Sequence, residues 1–173
     1  GGGVLFVAAG LVAGGRGGRA GRLREVGACA PAASESQRRD DSVIGCVGGD
    51  DYGDVWVLPD LVMRRMETDK TVEEIVGQIL LHRPDIWWME NELISRSFGP
   101  FLRERMRQER AYTTLTGTTP TKDKETRARA IQGRVALGTV RFPKFAPWWP
   151  RAKRQLLMFP NAANDDFVDS VWV

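Results

Sequence analysis

Histidine is almost missing from this 173-residue chain, where His82 is the only one. A Ser–His–Asp or Cys–His mechanism would have to use it. It follows an apolar helical stretch and precedes Arg83-Pro84, which is the setting of a solvated helix end. Cysteine is nearly as scarce, with Cys29 and Cys46 alone. They do not stand in a paired metal-ligand spacing, and two in a chain this size make no disulfide framework. Cys46 lies in an apolar run and reads as a small core residue. A reducing, cytoplasmic setting is therefore expected. Long hydrophobic runs are also lacking. Val4 to Ala13 is too short for a bilayer and is broken by Gly10. No basic segment precedes it, so it is not read as a targeting signal, and no membrane partner is expected. A Gly-rich loop ending in Lys-Ser/Thr is absent too, which excludes a phosphate loop of that kind.

What remains is a globular composition, 42% hydrophobic and 27% charged. The length suffices for one core and little more. The formal charge is +3 and the pI about 9.1, a mild basic excess that suits a polyanionic partner.

Composition changes near Gln37. Residues 1–36 begin with a Gly-, Ala- and Arg-rich stretch without a clear period, and they read as a low-complexity or disordered segment. Residues 37–173 read as the folded domain. Ser42 to Val47 predicts a strand, Gly48 to Gly53 a turn, and Asp54 to Leu58 a return strand running on towards Met63. Thr71 to Leu81 has helical spacing, with Thr71 and Glu74 placed as a capping box. Asp85 to Met89 predicts a buried strand ending in Glu90. Ser97 to Arg110 predicts an amphipathic helix and Ala111 to Leu115 a short strand. Lys122 to Leu137 predicts a basic helix stopped by Gly138. Thr139 to Phe142 predicts a strand and Arg151 to Phe159 a helix. Asp165 opens a last helix. A hairpin followed by alternating helices and strands predicts an α/β fold, a mixed sheet flanked by helices.

Carboxylates carry the candidate chemistry. Glu90 follows the most apolar strand, Ile-Trp-Trp-Met, and strand ends in α/β sheets are where sites collect. A solvated strand end is the plain alternative. Asp165, Asp166 and Asp169 have helical spacings of three and four, which bring like charges onto one face. That arrangement costs stability unless a cation neutralises it. The helix dipole accounts for acids in a first turn but not for Asp169. Carboxylate oxygens suit Mg²⁺ or Mn²⁺, and two such ions can serve phosphodiester hydrolysis without a histidine.

Lys122, Lys124, Arg127, Arg129 and Arg134 supply a basic face that can meet backbone phosphates. Ion pairs of Asp123 with Arg127 and Glu125 with Arg129 would make it an ordinary solvated face. The pairs Trp87-Trp88 and Trp148-Trp149 favour packing over base stacking, since aromatics dominate core energetics.

The stretches RRDDSVIGCV, WWMENELISRSFGPFLRERM, TKDKETRARAIQGRVALGTVRFP, APWWP and LLMFPNAANDDFVD resemble, in order and spacing, the nuclease domain of phage terminase large subunits. The resemblance runs from about Gln37 to the end of the chain. It implies an RNase H-like sheet and a two-metal endonuclease, with two Mg²⁺ or Mn²⁺ ions, that cuts concatemeric viral DNA in the host cytoplasm during packaging. It implies catalytic roles for Glu90, Asp165 and Asp166, and a metal site that adds Asp169 and Asp41. Lys122, Lys124 and Arg127 match the family's DNA-contacting segment. Double-stranded DNA, a terminase small subunit and a portal are the implied partners. Two features depart from the family. The segment Gly27 to Ser34, where the first strand would carry a metal-binding aspartate, contains none. The ATPase motor is also absent, and the last helix stops soon after Asp169. A catalytically inactive fragment that binds DNA or packaging partners, and another RNase H-like nuclease such as a resolvase, are the competing expectations.

Overall fold

The computed structural model describes residues 24–30, 42–91, 98–118 and 124–158, with the backbone alone at 24–30, 90, 118, 124–128 and 131. Strands are β1 Arg24–Ala30, β2 Ser42–Gly49, β3 Val55–Val57, β4 Val62–Arg64, β5 Ile86–Glu90, β6 Thr114–Thr118 and β7 Val140–Arg141. Helices are α1 Thr68–His82, α2 Phe98–Glu109, α3 Lys124–Ala136 and α4 Trp149–Met158. They form the expected α/β architecture, one mixed sheet in the order β6-β5-β1-β2-β3-β7, with β4 also paired to β2.

β1 and β2 are antiparallel, as are β2 and β3. β5 lies parallel to β1 on its other side, and β6 parallel to β5. β1 is thus a central strand, although it lies within the stretch before residue 37 that reads as low complexity. Its residues, Arg-Glu-Val-Gly-Ala-Cys-Ala, are mostly small and show no alternation, so periodicity does not reveal it. Backbone hydrogen bonds to strands on both sides hold it in place instead.

β3 and β4 are two parts of one return strand. Val47 faces Val57, while Ile44, three residues earlier, faces Val62, five residues later. The two extra residues fall around Pro59-Asp60, where a proline cannot serve the ladder. An even offset keeps each side chain on its own face of the sheet.

Alternation along the strands feeds two cores. Ile44, Cys46, Trp87 and Met89 face α1 and α2, where they meet Val72, Ile75, Ile79, Leu102 and Met106. Val43 and Val57 face the other way, towards Val140, Trp148 and Ala152, with Trp88 and Val135 packed alongside. Each large apolar side chain so buried contributes roughly 1.5–3 kcal/mol. The two Trp pairs are therefore packing residues, as expected: Trp87 and Trp148 are buried, Trp88 and Trp149 half-buried. Trp148 Nε1 donates to Pro59 O at 2.8 Å, which seats the second core against the bulge.

α1 begins at Thr68, so Thr71 is inside the helix and is not the cap that the sequence pattern predicts. Thr71 is buried and its hydroxyl donates to Glu67 O at 3.0 Å. Burial of Thr71 and Val72 against the sheet, and not the Thr-Glu spacing, sets where this helix runs. Its far end closes on Arg83 in the left-handed region, whose N–H donates to Ile79 O. Gly138, at φ +70, ends the turn after α3 as expected. Among the described residues no helix is long and apolar enough to cross a membrane.

Candidate functional site

Three parallel strands, β1, β5 and β6, end on the same side of the sheet. Glu90 is the last residue of β5, and its register partner on β6 is Thr118, likewise the last residue. On the β1 side, Gly27 pairs with Trp87 and Ala28 with Trp88. Extending that register by two residues brings Ala30, the end of β1, beside Glu90. The backbone positions at this edge are therefore Ala30, Glu90 and Thr118. Their place is set from below by Trp87 and Met89, both fully buried against α1 and α2.

Glu90 is thus the last residue of its strand, as the sequence pattern predicts, and the fold makes that strand a central parallel one. The expected partners Asp41, Asp165, Asp166 and Asp169 lie outside the described residues, as does Lys122. Lys124 opens α3 and Arg127 lies in its first turn, with the backbone alone described there. Among the described residues no group of three or more His, Cys, Asp or Glu is arranged to hold a metal ion.

The far end of α3 is well anchored. Arg134 Nη2 donates to Gly53 O at 2.9 Å, in the turn between β2 and β3. Val135 packs into the second core. The basic helix is thereby tied at its C-terminus.

That same turn carries a polar network that sequence reasoning does not find. The Asp50 carboxylate accepts hydrogen bonds from Tyr52 N, Asp54 N and Trp56 Nε1, each at 2.9 Å. Partial desolvation pushes its pKa up, but the hydrogen bonds from Trp56, Asp54 and Tyr52, with the charge of Arg141, outweigh it and hold it below the usual carboxylate value. Arg141 Nη2 donates to Asp54 Oδ2 at 2.7 Å, and its guanidinium sits 5.9 Å from the centre of the Trp56 ring. The Asp-Asp-Tyr-Gly-Asp turn hints at an Asx-type loop. Nothing in the sequence points to Arg141, which comes from β7.

No protein-family model matches the chain, and no curated protein is significantly similar to it.

His82 is not the solvated residue that its place in the sequence predicts. It is largely buried at the end of α1, with Nε2 3.2 Å from Asp60 Oδ2 but outside hydrogen-bond alignment. Burial lowers its pKa, and Asp60 opposes this in part. Its neighbour Asp60 comes from a distant segment, which local sequence context does not record. Gln78 Nε2, one turn earlier, donates to Asp60 O at 2.6 Å and makes the same connection.

Proposed function

We propose that this chain is the endonuclease domain of a phage terminase large subunit, which hydrolyses phosphodiester bonds of concatemeric viral DNA with two Mg²⁺ or Mn²⁺ ions. The observation that carries the reading is Glu90 at the end of β5, next to β1, in a sheet of this order. An antiparallel β1-β2-β3 meander extended on the β1 side by two parallel strands is the arrangement an RNase H-like fold requires. It supports the family resemblance, which rests on sequence motifs alone. Fold does not fix activity, so the site has to carry the argument.

In this reading Glu90, Asp165 and Asp166 hold the catalytic metals, with Asp169 and Asp41 completing the acidic set. Their donors are all carboxylate oxygens, which fits hard divalent cations. When bound, such cations would supply charge neutralisation at the phosphate and a lowered pKa for the attacking water. Lys122, Lys124 and Arg127 lie at or just before the start of α3 and would neutralise backbone phosphates. Double-stranded DNA is the substrate, and a terminase small subunit and portal are the packaging partners.

One observation favours a second reading. Extending the β1–β5 register to the strand ends puts Ala30 beside Glu90, and alanine has no ligand to offer. A chain short of that carboxylate would bind DNA or a packaging partner without cutting.

Plasmid cleavage by the purified chain decides between them. Nicking with Mn²⁺ that is lost in EDTA and in Glu90→Ala is the result expected of a nuclease. A folded protein that never nicks, yet binds duplex with strong salt dependence, sinks the nuclease reading and leaves the DNA-binding one.

A further inference from the structure

A second site lies at the opposite end of β6 from Thr118. α2 ends in a left-handed residue, Arg110 at φ +55, with Ala111 N donating to Met106 O at 2.8 Å. This cap buries Ala111 and turns the chain back into β6, leaving Tyr112 outside, 74% exposed. Between the C-terminal half of α2 and the start of β6 is an open groove of about 350 Å³. Met106 and Leu115 contribute apolar surface to it, and Arg103, Arg107, Tyr112 and Thr113 the polar lining.

Arg103 and Arg107 are one helical turn apart and share a face. Their electrostatic states differ. Arg107 is held by Glu104, with Nη2 2.7 Å from Oε1 and Nε 3.1 Å from Oε2. Arg105, between them in sequence, points to α1 and binds Glu73. Arg103 has no acidic partner among the described residues. Among the described residues the groove therefore keeps one uncompensated positive charge, the complement of a single phosphodiester. The Tyr112 ring makes no stacking or hydrogen-bond contact among the described residues, so its face is open.

We propose that this groove binds a single-stranded nucleic-acid segment, with one phosphate on Arg103 and one base stacked on Tyr112. A cation beside an exposed aromatic ring is how sequence-tolerant single-strand contacts are made. Met106 with Leu115 packs the sugar. The groove stands apart from the nuclease reading, because it and Glu90 lie at opposite ends of the parallel strands.

The test is fluorescence polarisation of a labelled octathymidylate with the whole chain in EDTA, which prevents cleavage. Tyr112→Ala should weaken binding by about tenfold, in keeping with removal of one base–aromatic stack. Arg103→Glu should weaken it comparably and flatten the salt dependence by roughly 0.7 in log–log slope, the value for one phosphate on a single strand. Both side chains are exposed, and a circular dichroism melt checks that each variant folds. Leu157→Ala, an exposed change on α4, should bind like the parent. Unchanged affinity in both groove variants overturns the proposal. So does an octaglutamate peptide that displaces the oligonucleotide at equal concentration, since the groove would then read charge and an acidic peptide would serve as well. Loss of plasmid nicking in Glu90→Ala with no effect of the groove variants on the oligonucleotide would leave the nuclease reading standing and remove this one.

Discussion

Ala30 ends β1 beside Glu90, the last residue of β5, once the Ala28–Trp88 register is extended to the strand ends. A small apolar residue and a carboxylate thus share the edge where three parallel strands stop. That juxtaposition frames what the proposed nuclease can do.

Ala30→Asp should restore a second carboxylate at this edge. Manganese binding by calorimetry is expected to tighten about tenfold, on the order of the effect that one supporting group has on metal affinity. Plasmid nicking should rise with it. An unchanged isotherm and unchanged nicking would mean that the end of β1 takes no part in the site.

Reversing charge at the start of α3 should weaken duplex binding without disturbing the fold. Arg134 and Val135 hold the helix at its other end. The triple variant Lys122→Glu, Lys124→Glu, Arg127→Glu is expected to reduce the slope of log K against log salt by roughly 0.9 for each phosphate that is no longer neutralised. Filter binding at several salt concentrations measures it. An identical slope in parent and variant would remove this segment from the DNA interface.

His82 makes stability depend on pH. Burial lowers its folded pKa below the ordinary value of 6.5, despite the opposing pull of Asp60. The unfolded chain therefore binds more protons in this range, and stability rises with pH. Above about 6.5 the ring is neutral in both states and the effect vanishes. As pH falls through that value the folded state is progressively disfavoured, until the folded ring also protonates. Urea midpoints should fall between about pH 7 and 5 in the parent, and His82→Gln should flatten that trend. A variant that loses stability as steeply as the parent would assign the acid sensitivity to other groups.

Leu102 is fully buried where α2 meets the first core. Leu102→Ala should cost about 2–5 kcal/mol, the transfer energy of the missing atoms plus the cavity left behind. Leu157→Ala should cost almost nothing, because Leu157 is exposed. Chemical denaturation of both variants checks the contrast. Equal losses would mean that α2 does not pack as the structure has it.

Much of the α/β order is legible in the chain. Helical spacing over Val72, Ile75, Val76 and Ile79 marks α1, and the apolar run before Glu90 marks β5, because these elements bury one face or both and the pattern records it. Gly138 announces the end of α3 because a left-handed residue is needed there. The Thr71–Glu74 spacing misleads, since burial of Thr71 in the helix overrides a local capping preference. β1 carries no period in its small residues, so only the family resemblance points to a strand near Gly27.

Sequence alone determined which segments must be buried, and so it named the strand that ends in Glu90. It also determined that a Ser–His–Asp or Cys–His mechanism within this chain would have to use His82. Only the tertiary structure decided that β1 lies between β2 and β5 and brings Ala30 beside Glu90, because strand neighbours are chosen by backbone hydrogen bonds between distant segments. It likewise decided that Arg141 meets Asp54, and that among the described residues Arg103 is left without an acid while Arg105 and Arg107 find theirs. Those outcomes depend on which surfaces pack together, and side-chain identity at one position does not record that.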